Sequence, residues 1–168
     1  GQQVVQLTGI TAGVGETQPL RVTAVSDTPG LIPDPTVDYT TAQATGSLVY
    51  TPVAEGFGTA TVTVTVEDGG LDADLDTAAD NATFSRTFDV TVNPVNDPPT
   101  LAAISDETIA EDASEQTVSL SGITAGPGGE IQPLRVTAVS DTPGLVPDPA
   151  VSYTTDEATG SLTYTPVA

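Results

Sequence analysis

The chain has no cysteine, histidine, methionine or tryptophan, and its cations are three arginines, Arg21, Arg86 and Arg135, set against 23 acidic side chains. Without cysteine, neither disulfides nor thiol chemistry is open to it. Without histidine, cysteine or lysine, acid–base work would fall to a carboxylate pair alone, so a non-enzymatic role is expected. The formal charge of −20 over 168 residues excludes two classes of partner. Nucleic acid and anionic membrane surfaces both demand a cationic face, one to release counterions and the other to meet lipid headgroups. The natural partner of so acidic a surface is a cation. No apolar run is long enough to span a bilayer, so direct membrane insertion is not expected. Aromatic side chains are scarce, at four Tyr and three Phe. The core must therefore be aliphatic and modest, and no Trp is available to stack on a sugar ring.

What is present is strict alternation. "TATVTVTVED" (59–68) sets Val62, Val64 and Val66 on one face and Thr61, Thr63 and Thr65 on the other, as a half-buried strand requires. "SRTFDVTVNP" (85–94) repeats this with Phe88, Val90 and Val92 inward. Further strands are expected at 4–10, 19–26, 36–41 and 46–53, divided by Gly, Pro and Asp. The acids are interleaved with Val, Leu, Ile and Thr, which disordered acidic segments lack, so the chain is read as folded. Nothing longer than a turn reads as helix. The expected class is all-β, tandem seven-stranded antiparallel Greek-key sandwiches of immunoglobulin-like or cadherin-like type.

The chain also repeats itself. Residues 18–54, "QPLRVTAVSDTPGLIPDPTVDYTTAQATGSLVYTPVA", match residues 132–168 at 31 of 37 positions, an offset of 114. That offset is the size of one sandwich domain. "LTGITAG" (7–13) matches "LSGITAG" (120–126), with one residue inserted before the longer match. The expected domains are 1–97, a repeat lacking its first strand, and 98–168, the next repeat truncated after its middle strands. Partial units expose strand edges, so neighbouring repeats, or identical chains, are the expected partners.

Strand alternation sends most acids to the two ends of each sandwich. The densest group is "DGGLDADLDTAADN", with Asp68, Asp72, Asp74, Asp76 and Asp80. Asp72, Asp74 and Asp76 alternate as the opening of an EF-hand loop does, but Thr77 stands where the turn glycine belongs and Thr83 where the bidentate glutamate belongs. A true EF-hand is excluded. A different oxygen-lined Ca2+ site remains, because five carboxylates this close repel one another unless a divalent ion sits among them. The alternative is a solvated acidic loop.

The run "VNPVNDPPTL", followed by "ISDETIAEDAS", resembles the junction between cadherin-like and immunoglobulin-like tandem repeats of large calcium-dependent bacterial surface adhesins. The resemblance implies that Asn96 and Asp97 are linker ligands for Ca2+, with Asn93 beside them. It also implies that Glu111, with Asp112, serves the following linker. The Asp-x-Asp and Asp-Arg-Glu elements of animal cadherins are not matched, and the glutamate paired with the 93–97 linker would lie before Gly1.

The expected function is a structural extender repeat of a large extracellular, cell-surface or secreted bacterial adhesin, stiffened by calcium where domains meet. The alternative is a subunit of an extracellular filament or sheath assembled by strand complementation between chains.

Overall fold

The computed structural model describes residues 1–77 and 79–167, and it divides into two compact units, Gly1–Pro94 and Val95–Ala168. Among the described residues all regular structure is antiparallel β, apart from a single 3-10 turn at Pro127–Gly129.

The first unit holds β1 (Gln3–Thr8), β2 (Leu20–Ser26), β3 (Thr36–Asp38), β4 (Thr45–Tyr50), β5 (Gly58–Asp68) and β6 (Thr83–Val92). They form two sheets, ordered β1-β4-β3 and β2-β5-β6. The long central strand β5 organises the second sheet. Its Ala60, Val62 and Val64 are buried while the intervening threonines stay partly solvated, which is the alternation read from its sequence. Partners in register share a face: Val22 and Ala24 of β2 lie opposite Val66 and Val64, and Phe88 and Val90 of β6 lie opposite Val62 and Ala60. Leu48 of β4 and the loop residues Ile10, Leu31 and Ile32 close the same cluster from the other side. The core is therefore sheet on sheet, with Ile32, Leu48, Ala60 and Val62 wholly excluded from water.

Strand ends follow proline and side-chain chemistry. Pro19, Pro52 and Pro94 flank β2, β4 and β6, where a missing N–H does no harm to the ladder. The stretch expected as a strand over 36–41 pairs only at 36–38. Beyond it Tyr39 turns to donate its hydroxyl to the Gln43 carbonyl at 3.1 Å, and the chain enters a turn.

The second unit holds β7 (Gln116–Ser121), β8 (Ala150–Ser152) and β9 (Thr159–Tyr164), in one sheet ordered β7-β9-β8. Its register copies that of β1-β4-β3: Gln116 faces Tyr164 as Gln3 faces Tyr50, and Val118 faces Leu162 as Val5 faces Leu48. The segment expected to open this repeat makes only one isolated bridge, Thr100 with Thr124. Residues 134–140 read LRVTAVS, identical to β2, yet they join no sheet among the described residues. Among the described residues no strand stands beside 134–140 as β5 stands beside β2.

The duplication supplies an internal control. Leu31 is 7% exposed because its Cδ atoms pack over the Gly56–Gly58 turn that begins β5, whereas its counterpart Leu145 is 59% exposed. Leu31→Ala should cost the first unit about 3 kcal/mol, and Leu145→Ala should change stability by no more than about 0.5 kcal/mol. Urea denaturation followed by circular dichroism checks this; equal losses would show that β5 does not create the burial of Leu31.

Candidate functional site

The acidic loop joining β5 to β6 begins with Gly69 and Gly70, both buried. Gly70 has φ +58°, and a Cβ there would fall 2.5 Å from the Asp80 carboxylate, so only glycine lets the two ends of the loop approach. Gly69 donates to the Pro19 carbonyl at 3.0 Å and accepts from the Asp74 N–H at 2.9 Å, folding the loop back against the entry to β2.

The carboxylates then cap backbone amides. Asp68 Oδ1 accepts from the N–H groups of Gly70 at 3.1 Å and Ala82 at 2.9 Å. Asp72 Oδ1 accepts from Asp74 N–H and Asp74 Oδ1 from Asp76 N–H, each at 3.0 Å, which are successive Asx turns. Asp74 Oδ2 takes the Thr77 hydroxyl at 3.0 Å, and Asp80 Oδ2 takes the Leu71 N–H at 2.7 Å. Hydrogen bonds to the anion favour its charged form, so the Asp76 amide and then the Thr77 hydroxyl hold the Asp74 carboxyl below its ordinary value. The chain thus answers part of the mutual repulsion with its own N–H groups.

Three residues outside the candidate ligand set, Arg21, Glu67 and Asn81, anchor this loop. Arg21 lies opposite Glu67 in the β2–β5 register, and its Nη2 and Nε reach Glu67 Oε2 at 2.7 and 3.0 Å. The same Nη2 donates to the Leu75 carbonyl at 3.2 Å, tying the middle of the loop to the sheet, while Asp76 stays at 4.0 Å. Asn81 donates to Glu67 Oε1 at 3.2 Å and to the Leu75 carbonyl at 3.4 Å. Its Oδ1 is buried with no hydrogen-bond partner, leaving an oxygen acceptor unanswered beside the acidic loop. Arg21 first, then Asn81, draws the Glu67 carboxyl below its ordinary value. Pairing alone could have exposed this cluster in the sequence, since β2 and β5 can be aligned from their alternation.

Asn96 and Asp97 belong to the second unit. The Asp97 N–H donates to Oε2 of Glu130 at 3.2 Å, and Gln132 Nε2 donates to the same oxygen at 3.1 Å. Gly126, at φ +139°, makes room: a Cβ would meet the Asp97 Cβ at 2.8 Å. Asn96 bonds only the neighbouring Asp97 carbonyl, at 3.4 Å. Glu130 was not among the candidate ligands, although it repeats Glu16 in the equivalent loop. Glu111 and Asp112 are exposed in a turn closed by the Ala113 N–H on the Ala110 carbonyl at 3.2 Å, with no hydrogen bond to Asn96 or Asp97. Nearby in sequence, Glu107 accepts the Tyr164 hydroxyl at 2.9 Å and thereby raises its pKa.

Among the described residues, no group of three or more carboxylates is arranged to hold a metal ion. The side-chain donors that the loop does not spend on its backbone are oxygens. Each of Asp68, Asp72 and Asp80 spends one carboxylate oxygen on the backbone and keeps another, and Asn81 adds its unpartnered oxygen. Comparison with known proteins returns no match, whether to a family model, a curated protein or a solved structure.

Acid should weaken the first unit through three carboxylates whose folded pKa lies below the unfolded one: Glu67, Asp74 and Asp27, the last held down chiefly by the Thr61 N–H. Their contribution is complete above the ordinary value, 4.5 for Glu67, and disappears as pH falls through the depressed folded value. Glu67→Gln should therefore lower the melting temperature at neutral pH, and the gap to the parent should close as pH falls through the depressed folded value. Thermal melts from about pH 2 to about pH 8 test this; a gap that does not change with pH would refute it.

Proposed function

We propose that the chain is a structural extender segment, built from seven-stranded Greek-key sandwich repeats of immunoglobulin-like or cadherin-like type, in a large bacterial surface or secreted adhesin. The observation that carries the reading is the recurrence of one sheet frame in one chain: β1-β4-β3 and β7-β9-β8 share order and register at the spacing of a single domain. A sandwich repeated in tandem contributes length, and function then resides in what the array holds away from its anchor. Pro94, Pro98 and Pro99 restrict the backbone of the segment between the repeats, which suits a spacer that must not collapse. The absence of His, Cys and Lys leaves little catalytic chemistry, and the acidic ends of the repeats suit calcium better than a macromolecular anion.

Calcium is part of this reading. In the first unit its ligands would come from Asp68, Asp72, Asp74, Asp76 and Asp80 with Asn81 Oδ1. In the second, Asn96 and Asp97 with Glu130 offer a smaller oxygen set, and Glu111 and Asp112 another. Bound there, a divalent ion would neutralise charge that backbone amides offset only in part, and so stabilise each fold.

Calcium at about a hundred times its Kd should add about 2.7 kcal/mol, raising the melting temperature by about 10 °C. EGTA should reverse this, and Asp72→Asn with Asp80→Asn should abolish the rise in the first unit. Melting curves indifferent to calcium would remove the ion from the account. The extender reading has its own test: joining further copies of the 114-residue repeat should lengthen the maximum dimension from small-angle scattering by a constant increment. A dimension that grows only as a compact particle would contradict it.

A further inference from the structure

The stretch of chain that follows β6, residues 93–102, contains Pro94, Pro98 and Pro99, which have no N–H to give. The amides that remain divide into two groups. Asn93, Val95 and Asn96 are exposed, and their N–H groups make no hydrogen bond among the described residues. Asp97, Thr100 and Ala102 all donate to the second unit. Their acceptors are Glu130 Oε2 at 3.2 Å, the Thr124 carbonyl at 3.0 Å and the Ser121 carbonyl at 2.9 Å.

These bonds lay 97–102 antiparallel against 121–126, with Ala102 beside Gly122, Thr100 beside Thr124 and Asp97 beside Gly126. Thr100 holds the middle with its hydroxyl as well, at 2.8 Å from the Gly122 carbonyl and 2.7 Å from the Thr124 hydroxyl. Two glycines let the backbones approach. A Cβ at Gly122 would come within 3.2 Å of the Ala102 nitrogen, and one at Gly126 within 2.8 Å of the Asp97 Cβ. Between Thr100 and Asp97 the ladder is interrupted, because neither Pro98 nor Pro99 can donate to it. Asp97 must therefore be held by a contact of its own.

That contact comes from a side chain. Glu130 and Gln132 are half-buried, and Gln132 Nε2 donates to the Ala125 carbonyl at 3.2 Å and to Glu130 Oε2 at 3.1 Å, which sets the carboxylate against the loop. The Asp97 N–H then meets an ionised acceptor that is partly withdrawn from water, a stronger bond than a neutral carbonyl would give. Asp97 also precedes a proline, which biases its backbone toward the extended form and lowers the entropy lost in presenting its N–H.

We infer that Glu130 is a clasp that makes 97–102 a fixed part of the second unit and confines the freedom of the connection to residues 93–96. Gln132 is a positioning residue for that clasp. Without Glu130 the nearest anchor is Thr100, and the free stretch grows from 93–96 to 93–99. The length of the free connection is thus set by a hydrogen bond inside one unit. The inference rests on neither calcium nor the extender reading, so it can fail while they stand, and the reverse.

The test is amide nitrogen relaxation by NMR on the intact chain in EGTA, which removes any contribution of calcium. Order parameters for Asp97, Thr100 and Ala102 are expected to match those of β7, at about 0.85, and those for Asn93, Val95 and Asn96 to fall below about 0.6. Glu130→Ala should bring Asp97 down to the range of Asn96 while Ala102 and β7 keep their values. Glu130→Gln retains an oxygen acceptor and should hold Asp97 near the parent value. An Asp97 as mobile as Asn96 in the parent chain would overturn the inference, as would an Asp97 that stays rigid in Glu130→Ala. Order lost across β7, β8 and β9 in Glu130→Ala would make Glu130 a support of the whole unit and would overturn it too.

Discussion

The antiparallel contact between β2 and β5 is the interaction on which the first unit depends. β5 lies at the centre of its sheet, contributes Ala60, Val62 and Val64 to the core, and brings β6 with it. It also turns an amphipathic segment into a strand. Where β5 is present, LRVTAVS buries four side chains; where it is absent, the same seven residues leave those positions half-exposed and their backbone edge open. Burial here is a property of the pair of strands, and one chain displays both outcomes under the same solvent and charge. The β1-β4-β3 sheet recurs as β7-β9-β8 with unchanged register.

The same strand pair holds the acidic loop. Arg21 reaches across the ladder to Glu67 and onward to the Leu75 carbonyl, so this cation beside the loop is positioned by β-sheet register. Around it the aspartates act as local acceptors for backbone amides, an arrangement that short carboxylate side chains favour. This offsets part of the cost of crowding so many anions into one connection. The proposal of calcium rests on the remainder: carboxylate oxygens not used by the backbone, and an Asn81 oxygen with no partner.

Much of the strand layout was legible because a period of two is hard to disguise. Thr59 to Asp68 and Ser85 to Val92 announce their inward faces by alternation alone, and the all-β character follows from them. Other features were not legible, for physical reasons. The identity of 134–140 with 20–26 argues for equal strands, but pairing is non-local, and propensity counts for little without a neighbour to pack against. Tyr39 leaves its strand early for a hydroxyl contact four residues on, which alternation does not encode. Around Asp97, the resemblance directed attention to carboxylates at first-strand ends, whereas the residue that meets it is Glu130, brought in by a glycine-rich loop 33 residues away in sequence. In the acidic loop, spacing sets five aspartates in one connection but could not say that Asp68, Asp72, Asp74 and Asp80 accept backbone amide protons. Glu67 and Asn81, which anchor that cluster, carry no motif and emerge only once β2 and β5 are set in register.

The most direct test of this account is amide hydrogen exchange, resolved residue by residue by NMR on the intact chain. Because Val22 to Val25 and Val136 to Val139 have the same sequence, their intrinsic exchange rates are matched, and only structure can separate them. The account predicts slow exchange for the ladder-bonded amides of 22–25 and rates close to those of an open chain for 136–139. Equal protection of the two segments would contradict it, since the second would then have acquired a strand's protection without β5.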